Sequence, residues 1–296
     1  MTRLVVEELV PDFVGEIGDF PFRAIDDQVV RELRAAWTKY PVLRFRNVPI
    51  GDAEQVAFTK ALGPVSYPIK QTKGKHERFP EILVISNKGA GDLGDGEVTW
   101  HTDMWYVERP PSAAILRAVE LPAAGGNTYF SNMYTAFASL PDSMKARLRG
   151  LNIHHQSVLD TYHEVRLGKS RPSSSDFETW QGVDHPIVRR HTDSGKPCLY
   201  LGSGRAYQSI PGMKQQEAKE LLDELWQHAT DRSDIWCQEW RPGDMLLWDN
   251  RCLMHRRDAF DPNSIRLMHR TTVDGERPAA AFCARSLRTA LNQLTS

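Results

Sequence analysis

Trp100-His101-Thr102-Asp103-Met104-Trp105-Tyr106 is the stretch of this chain that decides how the rest is interpreted. It places an imidazole and a carboxylate two residues apart. On an extended strand, residues i and i+2 lie on the same face, so the side chains of His101 and Asp103 are expected to meet at one metal ion. The apolar residues that follow indicate that the motif continues into buried structure.

A second imidazole lies far downstream. His255 follows a strand-like apolar run at residues 244–249, and Arg266 comes eleven positions later. Two histidines and one carboxylate, with the other coordination positions open, form the facial triad of non-haem Fe(II) oxygenases. A guanidinium matches a carboxylate bidentately, so Arg266 suits a co-substrate that carries a distant carboxylate. The competing interpretation of His255 is a surface histidine beside Arg256 and Arg257.

The ordered set of motifs resembles that of the Fe(II)/2-oxoglutarate-dependent dioxygenases, and more specifically the group of taurine dioxygenase and the phenoxyacetate herbicide dioxygenases. The motifs that carry the resemblance are Trp-His-Thr-Asp at 100–103, Arg109-Pro110-Pro111, Gly125-Gly126-Asn127-Thr128, Trp248-Asp249-Asn250-Arg251, His255, and Arg266 with Arg270. His-x-Asp alone is a weak signal, whereas the whole set extends over most of the chain.

The resemblance implies a catalytic centre and its co-substrates. His101, Asp103 and His255 would be the catalytic metal ligands and would hold Fe(II), with 2-oxoglutarate and O2 as co-substrates. Arg266 would bind the C5 carboxylate of 2-oxoglutarate, and Thr128 would donate its hydroxyl to the same carboxylate.

Three further residues are candidates for contact with the primary substrate. Arg270 should point to the same side of a strand as Arg266, and the taurine enzyme places an arginine on its anionic group. Trp248 would form a wall of the pocket, although large aromatic side chains are more often part of a core. Glu97, a carboxylate close to the predicted metal-binding strand, would be able to bind a substrate that carries an amino group. Internal pairing of Arg270 with a protein carboxylate is the alternative to substrate binding.

The sequence His-Thr-Asp occurs a second time, at 191–193. There it is followed by Ser194-Gly195-Lys196, which is typical of a turn between two strands. We therefore expect Asp193 at the surface and reject this copy as a metal site. The segments at 66–70 and 95–99 do not match the substrate-holding segments of the taurine enzyme, which argues against taurine itself.

Composition limits the class of partner. The chain has 296 residues, of which 25% are charged, and a formal net charge of -1. Binding to nucleic acid or to an anionic membrane usually requires a basic excess. The sequence has no apolar run long enough to span a bilayer and no signal-peptide core. Its four cysteines lack paired spacing, which predicts reduced thiols in the cytoplasm. We expect a small-molecule substrate, no nucleic acid and no membrane, and the sequence is compatible with a homo-oligomer.

Hydrophobic periodicity predicts many short strands and few helices. Helices are expected at about 26–40, 52–62, 141–150 and 213–230, and strands at 41–46, 81–87, 113–120, 128–131, 185–191 and 198–201, with three more after 235. This pattern predicts a mainly β fold with flanking helices, namely a double-stranded β-helix (jelly roll, cupin-like), in one catalytic domain over 1–296. The segment at about 159–184 is turn-rich and aperiodic, so we expect it to form a lid over the metal site.

These observations predict an Fe(II)- and 2-oxoglutarate-dependent oxygenase that hydroxylates a small organic substrate, expected to be anionic, with release of succinate and CO2. Two alternatives share the fold class. One is a cupin-like metal-dependent isomerase or hydrolase, which has no use for a carboxylate clamp of Arg266 and Thr128. The other is a non-catalytic small-molecule-binding protein, which is expected to lose at least one metal ligand.

Overall fold

The computed structural model describes residues 4–68, 74–89, 94–160, 164–203, 207–232 and 234–282. The helices are α1 (Asp27–Lys39), α2 (Asp52–Leu62), α3 (Met133–Ala138), α4 (Asp142–Arg147) and α5 (Gln215–Thr230), with a 3-10 turn at Phe177–Thr179. The strands are β1 (Glu7–Val10), β2 (Val14–Ile17), β3 (Val42–Phe45), β4 (Val65–Ser66), β5 (Leu83–Ser86), β6 (Val98–His101), β7 (Ala113–Glu120), β8 (Thr128–Asn132), β9 (Asn152–Gln156), β10 (Gly182–Pro186), β11 (Val188–Arg190), β12 (Pro197–Leu199), β13 (Gln208–Ser209), β14 (Trp236–Gln238), β15 (Met245–Asp249), β16 (Leu253–Arg257), β17 (Leu267–Val273) and β18 (Ala279–Ala280).

The chain divides into two compact units. The first comprises Met1–Trp100, Pro111–Phe130 and Trp236–Glu276. Its largest sheet has eight strands in the order β1-β2-β3-β15-β7-β17-β4, with β5 paired to β17. Antiparallel pairing places Leu247 of β15 and Thr271 of β17 on either side of Ile115 in β7. The central strands are therefore far apart in sequence, as a jelly roll requires.

A four-stranded sheet has the order β14-β8-β16-β6. Thr128 begins β8, His255 lies within β16, and His101 is the last residue of β6. The eight- and four-stranded sheets form the double-stranded β-helix that the sequence predicts.

The first unit has an apolar core on the helix-covered face of its large sheet. The Asp26 side chain caps α1 by accepting a hydrogen bond from the Val29 amide, and the helix buries Leu33 and Trp37. A set of four rings packs nearby with centroids 4.7 to 5.7 Å apart, namely Phe20, Phe22, Phe45 and Phe58. Truncating a core residue such as Leu33 to alanine is expected to cost about 2–5 kcal/mol.

The second unit comprises His101–Pro110, Ser131–Ile235 and Arg277–Ser296. It contains two three-stranded sheets, β10-β9-β13 and β12-β11-β18, together with α3, α4 and α5. The described residues of the segment 159–184 include a 3-10 turn and the start of β10. Trp180 and Leu159 of this segment are buried together with Val158 in a small apolar cluster. Residues 161–163 of the predicted lid lie outside the described residues.

Most predicted elements are confirmed to within a few residues. The segment predicted as strand at 185–191 is two strands, because the chain changes sheets between β10 and β11. The described residues after 235 contain five strands where three were predicted, since β14 and β18 are too short to show a period. No helix among the described ranges has the length and apolar character needed to cross a membrane.

Candidate active site

The first metal-ligand segment begins where β6 ends. His101 closes the strand and Asp103 lies in the turn that follows, so the prediction that both lie on one strand face is wrong. The turn brings their side chains together, with 3.8 Å between His101 Nε2 and Asp103 Oδ1. Met104 has a φ of 51°, a left-handed conformation that bends the chain away from the strand direction.

The remaining predicted ligand, His255, lies in a layer of aromatic rings. Its imidazole stacks on Phe130 with 5.9 Å between ring centroids, and the Trp248 ring centroid lies 5.0 Å away. Trp248 is 1% exposed and His255 is 7% exposed. Packing on two rings limits rotation of the imidazole, so it is held in one orientation.

His101 at the end of β6, Asp103 in the turn after it and His255 in β16 form a group of side chains that could hold a metal ion. Each offers one ligand atom, these atoms lie within 4.8 Å of one another, and all three residues are buried. Two imidazole nitrogens and one carboxylate oxygen form a donor set that suits Fe(II) and leaves coordination positions open. The residues therefore fit the metal that the sequence predicts.

Asp52, His76 and His269 form a second group with closely spaced ligand atoms. Asp52 pairs with His269 Nδ1 at 2.6 Å, with His76 Nε2 at 3.1 Å, and with Arg117. His76 Nδ1 accepts two backbone N–H groups of the following turn, so Nε2 carries the proton and cannot bind a metal. Burial would raise the pKa of Asp52, but the bond from His269 and the nearby cations hold that pKa below its ordinary value. This group is a hydrogen-bonded ion network.

The second His-Thr-Asp copy lies in a turn, as predicted. Asp193 is exposed, whereas His191 is buried. The Nδ1 atom of His191 lies 3.1 Å from the backbone N–H of Ser194, which donates to it, and Gly195 closes the turn onto the His191 carbonyl. The imidazole therefore stabilises the turn between β11 and β12.

Arg266 is a buried cation at the start of β17. It is 2% exposed, and its Nε–H donates to the carbonyl of Gly126 at 3.1 Å. The side-chain oxygen of Asn87 accepts a hydrogen bond from the Arg266 backbone N–H at 3.0 Å, which holds the backbone at this position. Burial lowers the pKa of Arg266 to about 9, with a smaller contribution from Arg257. No Asp or Glu of the described ranges forms an ion pair with it, so the guanidinium is suited to receive an anion.

Thr128 is buried at the start of β8, and its Oγ1 accepts a hydrogen bond from Trp240 Nε1 at 3.0 Å. A hydroxyl has one proton and two lone pairs. Because the indole occupies a lone pair, the Thr128 proton stays free to be donated to another acceptor. Trp240 was not among the residues predicted for the site. The pairing of Gln238 with Thr128 brings it close, and no local motif marks that register.

Arg270 and Glu97, which are also predicted to contact the substrate, differ in their exposure to solvent. Arg270 lies half-buried on β17, on the opposite face from His269 and Thr271. The Glu97 side chain is 58% exposed and lies 3.4 Å from Arg256, which also pairs with Asp258. Glu97 therefore already has a cationic neighbour at the surface.

Comparisons with known proteins agree with this chemistry. The chain is 29% identical over 285 residues to an alpha-ketoglutarate-dependent 2,4-dichlorophenoxyacetate dioxygenase of Burkholderia sp. (strain RASC), with 92% of this chain and 94% of that protein covered. It is 30% identical to an alpha-ketoglutarate-dependent sulfate ester dioxygenase of Pseudomonas putida, with 86% of this chain and 83% of the relative covered. The crystal structure of AAD-2 in complex with Mn(II) and N-oxalylglycine superposes with a TM-score of 0.76 at 28% identity, with 95% of this chain and 100% of the AAD-2 chain covered.

The match to a family extends over most of the sequence. The family described as "Taurine catabolism dioxygenase TauD, TfdA family" matches residues 6–272. This range includes every predicted metal ligand, as well as Arg266 and Arg270. The chain belongs to the TauD/TfdA family of dioxygenases.

Proposed function

We propose that this protein is an Fe(II)- and 2-oxoglutarate-dependent oxygenase that hydroxylates a small organic anion. The observation that carries the proposal is Arg266, a buried guanidinium with no acidic partner among the described residues. Burying an unpaired cation is costly, and a bound carboxylate removes that cost. An isomerase or hydrolase on the same fold has no need for such a cation.

His101, Asp103 and His255 hold the metal in this proposal, and Arg266 and Thr128 bind the C5 carboxylate of 2-oxoglutarate. When bound, Fe(II) and 2-oxoglutarate supply the oxidation: one oxygen atom of O2 enters succinate as CO2 is lost, and the other enters a substrate C–H bond to form an alcohol. The chain itself orients the two ligands and excludes water. Trp240 keeps the Thr128 proton directed to the carboxylate by occupying a lone pair of the hydroxyl.

The substrate class is a carboxylate, sulfonate or sulfate ester in this proposal. Relatives are named for 2,4-dichlorophenoxyacetate and for sulfate esters, both of which are anions. Arg270 is proposed to bind the substrate anion, and Trp248 to form a pocket wall beside His255. Glu97 is the weaker candidate because it lies at the surface next to Arg256. It belongs to the proposal only for a substrate that also carries an amine.

We propose further that residues 1–296 act as one catalytic domain, since the family match runs through both compact units. The segment 159–184 is proposed as a lid because it is long, and because its described residues are largely irregular and contribute to a small apolar cluster. A cytoplasmic location is supported by the free thiols of Cys198, Cys237 and Cys252, whereas Cys283 lies outside the described residues. The proposal requires no second copy of the chain.

Binding of 2-oxoglutarate to the Mn(II)-loaded protein tests the proposal directly. Arg266→Met should raise the Kd for 2-oxoglutarate roughly thirty- to a thousand-fold, because losing a charge-assisted hydrogen bond to a desolvated carboxylate costs about 2–4 kcal/mol. Arg256→Met is the matched control, since Arg256 pairs with Asp258 and Glu97, and it should leave that Kd within about three-fold. An unchanged Kd in Arg266→Met, or no binding to the wild-type protein, would overturn the proposal.

A further inference from the structure

The turn that carries two of the proposed metal ligands is held from outside at two points. The backbone N–H of Thr102, between the ligands, donates to the carbonyl of Gly202 at 3.0 Å. At the other end, the carbonyl of Val107 accepts from His185 Nε2 at 2.9 Å. Within the turn, the Val107 amide donates to the carbonyl of Met104 at 3.2 Å.

This turn needs such support because its backbone is strained. Met104 adopts a φ of 51°, which is uncommon for a residue with a side chain. Conformations of this kind cost on the order of 1–3 kcal/mol and persist only when the surrounding structure enforces them. The position of Asp103, one residue before Met104, therefore depends on the contacts at Thr102 and Val107.

Two buried histidines contact the groups that hold the turn: His185 bonds to the Val107 carbonyl, and His155 packs against Gly202. His155 and His185 are both fully buried, and their ring centroids are 5.5 Å apart. His155 also packs against Gly202: a Cβ at Gly202, whose φ is 71°, would lie 2.6 Å from Cε1 of His155 and 3.0 Å from Trp105. No larger residue fits there without moving the His155 ring, so His155 fixes how closely Gly202 approaches.

We propose that His155 and His185 are positioning residues for the metal site, because they hold both ends of the 101–107 turn and thereby set the geometry of His101 and Asp103. His185 acts through its bond to Val107, and His155 acts through Gly202 and the Thr102 amide. The inference rests on the proposed function in that the turn is taken to carry two metal ligands.

The chemistry of the pair supports this role. Nε2 of His185 has a carbonyl acceptor, whereas its Nδ1 has no partner among the described residues, so the ring is the Nε2–H tautomer. Burial lowers the pKa of His185 to about 4 and lowers that of His155 well below its ordinary value. Both rings are thus neutral at pH 7, and for His185 a neutral ring suits a fixed hydrogen-bond donor more than an exchanging acid.

Cobalt(II) titration, followed by its ligand-field absorption, separates this role from general stability. His185→Leu should raise the Co(II) Kd about 10- to 100-fold and change the absorption spectrum, as loss of a supporting bond near a metal site does. His185→Gln, which keeps a donor near the Nε2 position, should return the Kd to within about three-fold of wild type. Thermal unfolding of the metal-free variants monitors folding.

His154→Leu is the matched control. His154 is a buried neighbour of His155 on β9, but its ring bonds to Asp184 and to the carbonyl of Trp180. This variant should bind Co(II) like the wild type. Wild-type affinity and spectrum in His185→Leu, or an equal loss of affinity in His154→Leu, would overturn the inference. If the wild-type protein binds no Co(II), the proposed function fails together with it.

A measurement on the wild-type protein covers the case in which His185→Leu does not fold. In 15N-histidine-labelled, Zn(II)-loaded protein at pH 7, His185 should show the Nε2–H tautomer, with protection of its proton from exchange. The Nδ1–H tautomer or a charged ring at His185 would contradict the proposed bond to Val107. Normal binding of 2-oxoglutarate in the same sample would show that the proposed function nevertheless stands.

Discussion

The Nε–H of Arg266 donates to the carbonyl of Gly126 at 3.1 Å, and the two residues are packed so closely that Gly126 has no room for a side chain. A Cβ at Gly126 would lie 2.9 Å from both Cδ and Nε of Arg266, and the glycine has a φ of 67°. The loop before β8 thus sets the position of the guanidinium at the start of β17.

Gly126→Ala should weaken 2-oxoglutarate binding. The added methyl group displaces the Arg266 side chain and strains the backbone, at a cost of roughly 1–2 kcal/mol, which corresponds to about a five- to thirty-fold higher Kd. Calorimetric titration of the Mn(II)-loaded protein measures it. Gly150→Ala is the control, because Gly150 has a φ of 76° with no atom within 4 Å of the added Cβ. Equal Kd values in the two variants would contradict the prediction.

His101→Ala, Asp103→Ala and His255→Ala should each abolish Fe(II) binding and succinate release, because an open three-ligand site has no spare protein ligand. Anaerobic Fe(II) titration and a succinate assay measure the two effects. Asp193→Ala, in the exposed turn of the second His-Thr-Asp copy, should retain both. Loss of iron in Asp193→Ala, or its retention in His255→Ala, would show that the ligands are assigned wrongly.

Trp240→Phe should raise the Kd for 2-oxoglutarate about two- to twelve-fold, because the Thr128 hydroxyl loses the bond that orients it, worth about 0.5–1.5 kcal/mol. Thr128→Val should have an effect at least as large. A double-mutant cycle checks the coupling: Trp240→Phe should add little once Thr128 has been replaced. Fully additive effects would mean that Trp240 does not act through Thr128.

Stability should fall as the pH drops below about 6.5. The folded-state pKa of His185, about 4, is depressed below its unfolded value of 6.5, so the unfolded chain takes up the proton first. Between these two values this histidine removes up to about 1.4 kcal/mol per pH unit from the free energy of unfolding. Buried His155 adds to the loss in the same direction. Above the unfolded pKa neither contributes a pH dependence.

Urea unfolding of the metal-free protein at pH 7.5, 6.5, 5.5 and 4.5 measures this slope. His185→Gln should have a shallower slope than the wild type, since glutamine does not titrate. Asp184, Arg189 and Arg277 carry the neighbouring charges that act on His185, and the comparison leaves all three unchanged. Identical slopes in the two proteins would rule out His185 as the titrating group.

Much of the fold follows from local sequence. Capping by Asp26 and the apolar spacing of Leu33 and Trp37 place α1 correctly, and the largely apolar run at 113–120 predicts β7 to the residue. Strand β14 escapes prediction because three residues carry no measurable period. The helix α3 was not predicted from the sequence, because it is only six residues long and follows β8 directly.

The candidate site divides in the same way. Residue type and spacing, taken together with the resemblance to a known family, predict His101, Asp103, His255, Thr128 and Arg266 as site residues, because imidazole and carboxylate groups suit iron and a guanidinium suits a carboxylate. Only the tertiary structure shows that Asp103 reaches His101 through a turn, that Trp240 donates a hydrogen bond to Thr128, and that His185 donates one to the carbonyl of Val107. These contacts join residues up to 112 positions apart. These contacts depend on the register of the sheets and on the strained turn at Met104. Neither feature produces a pattern in a short window of sequence.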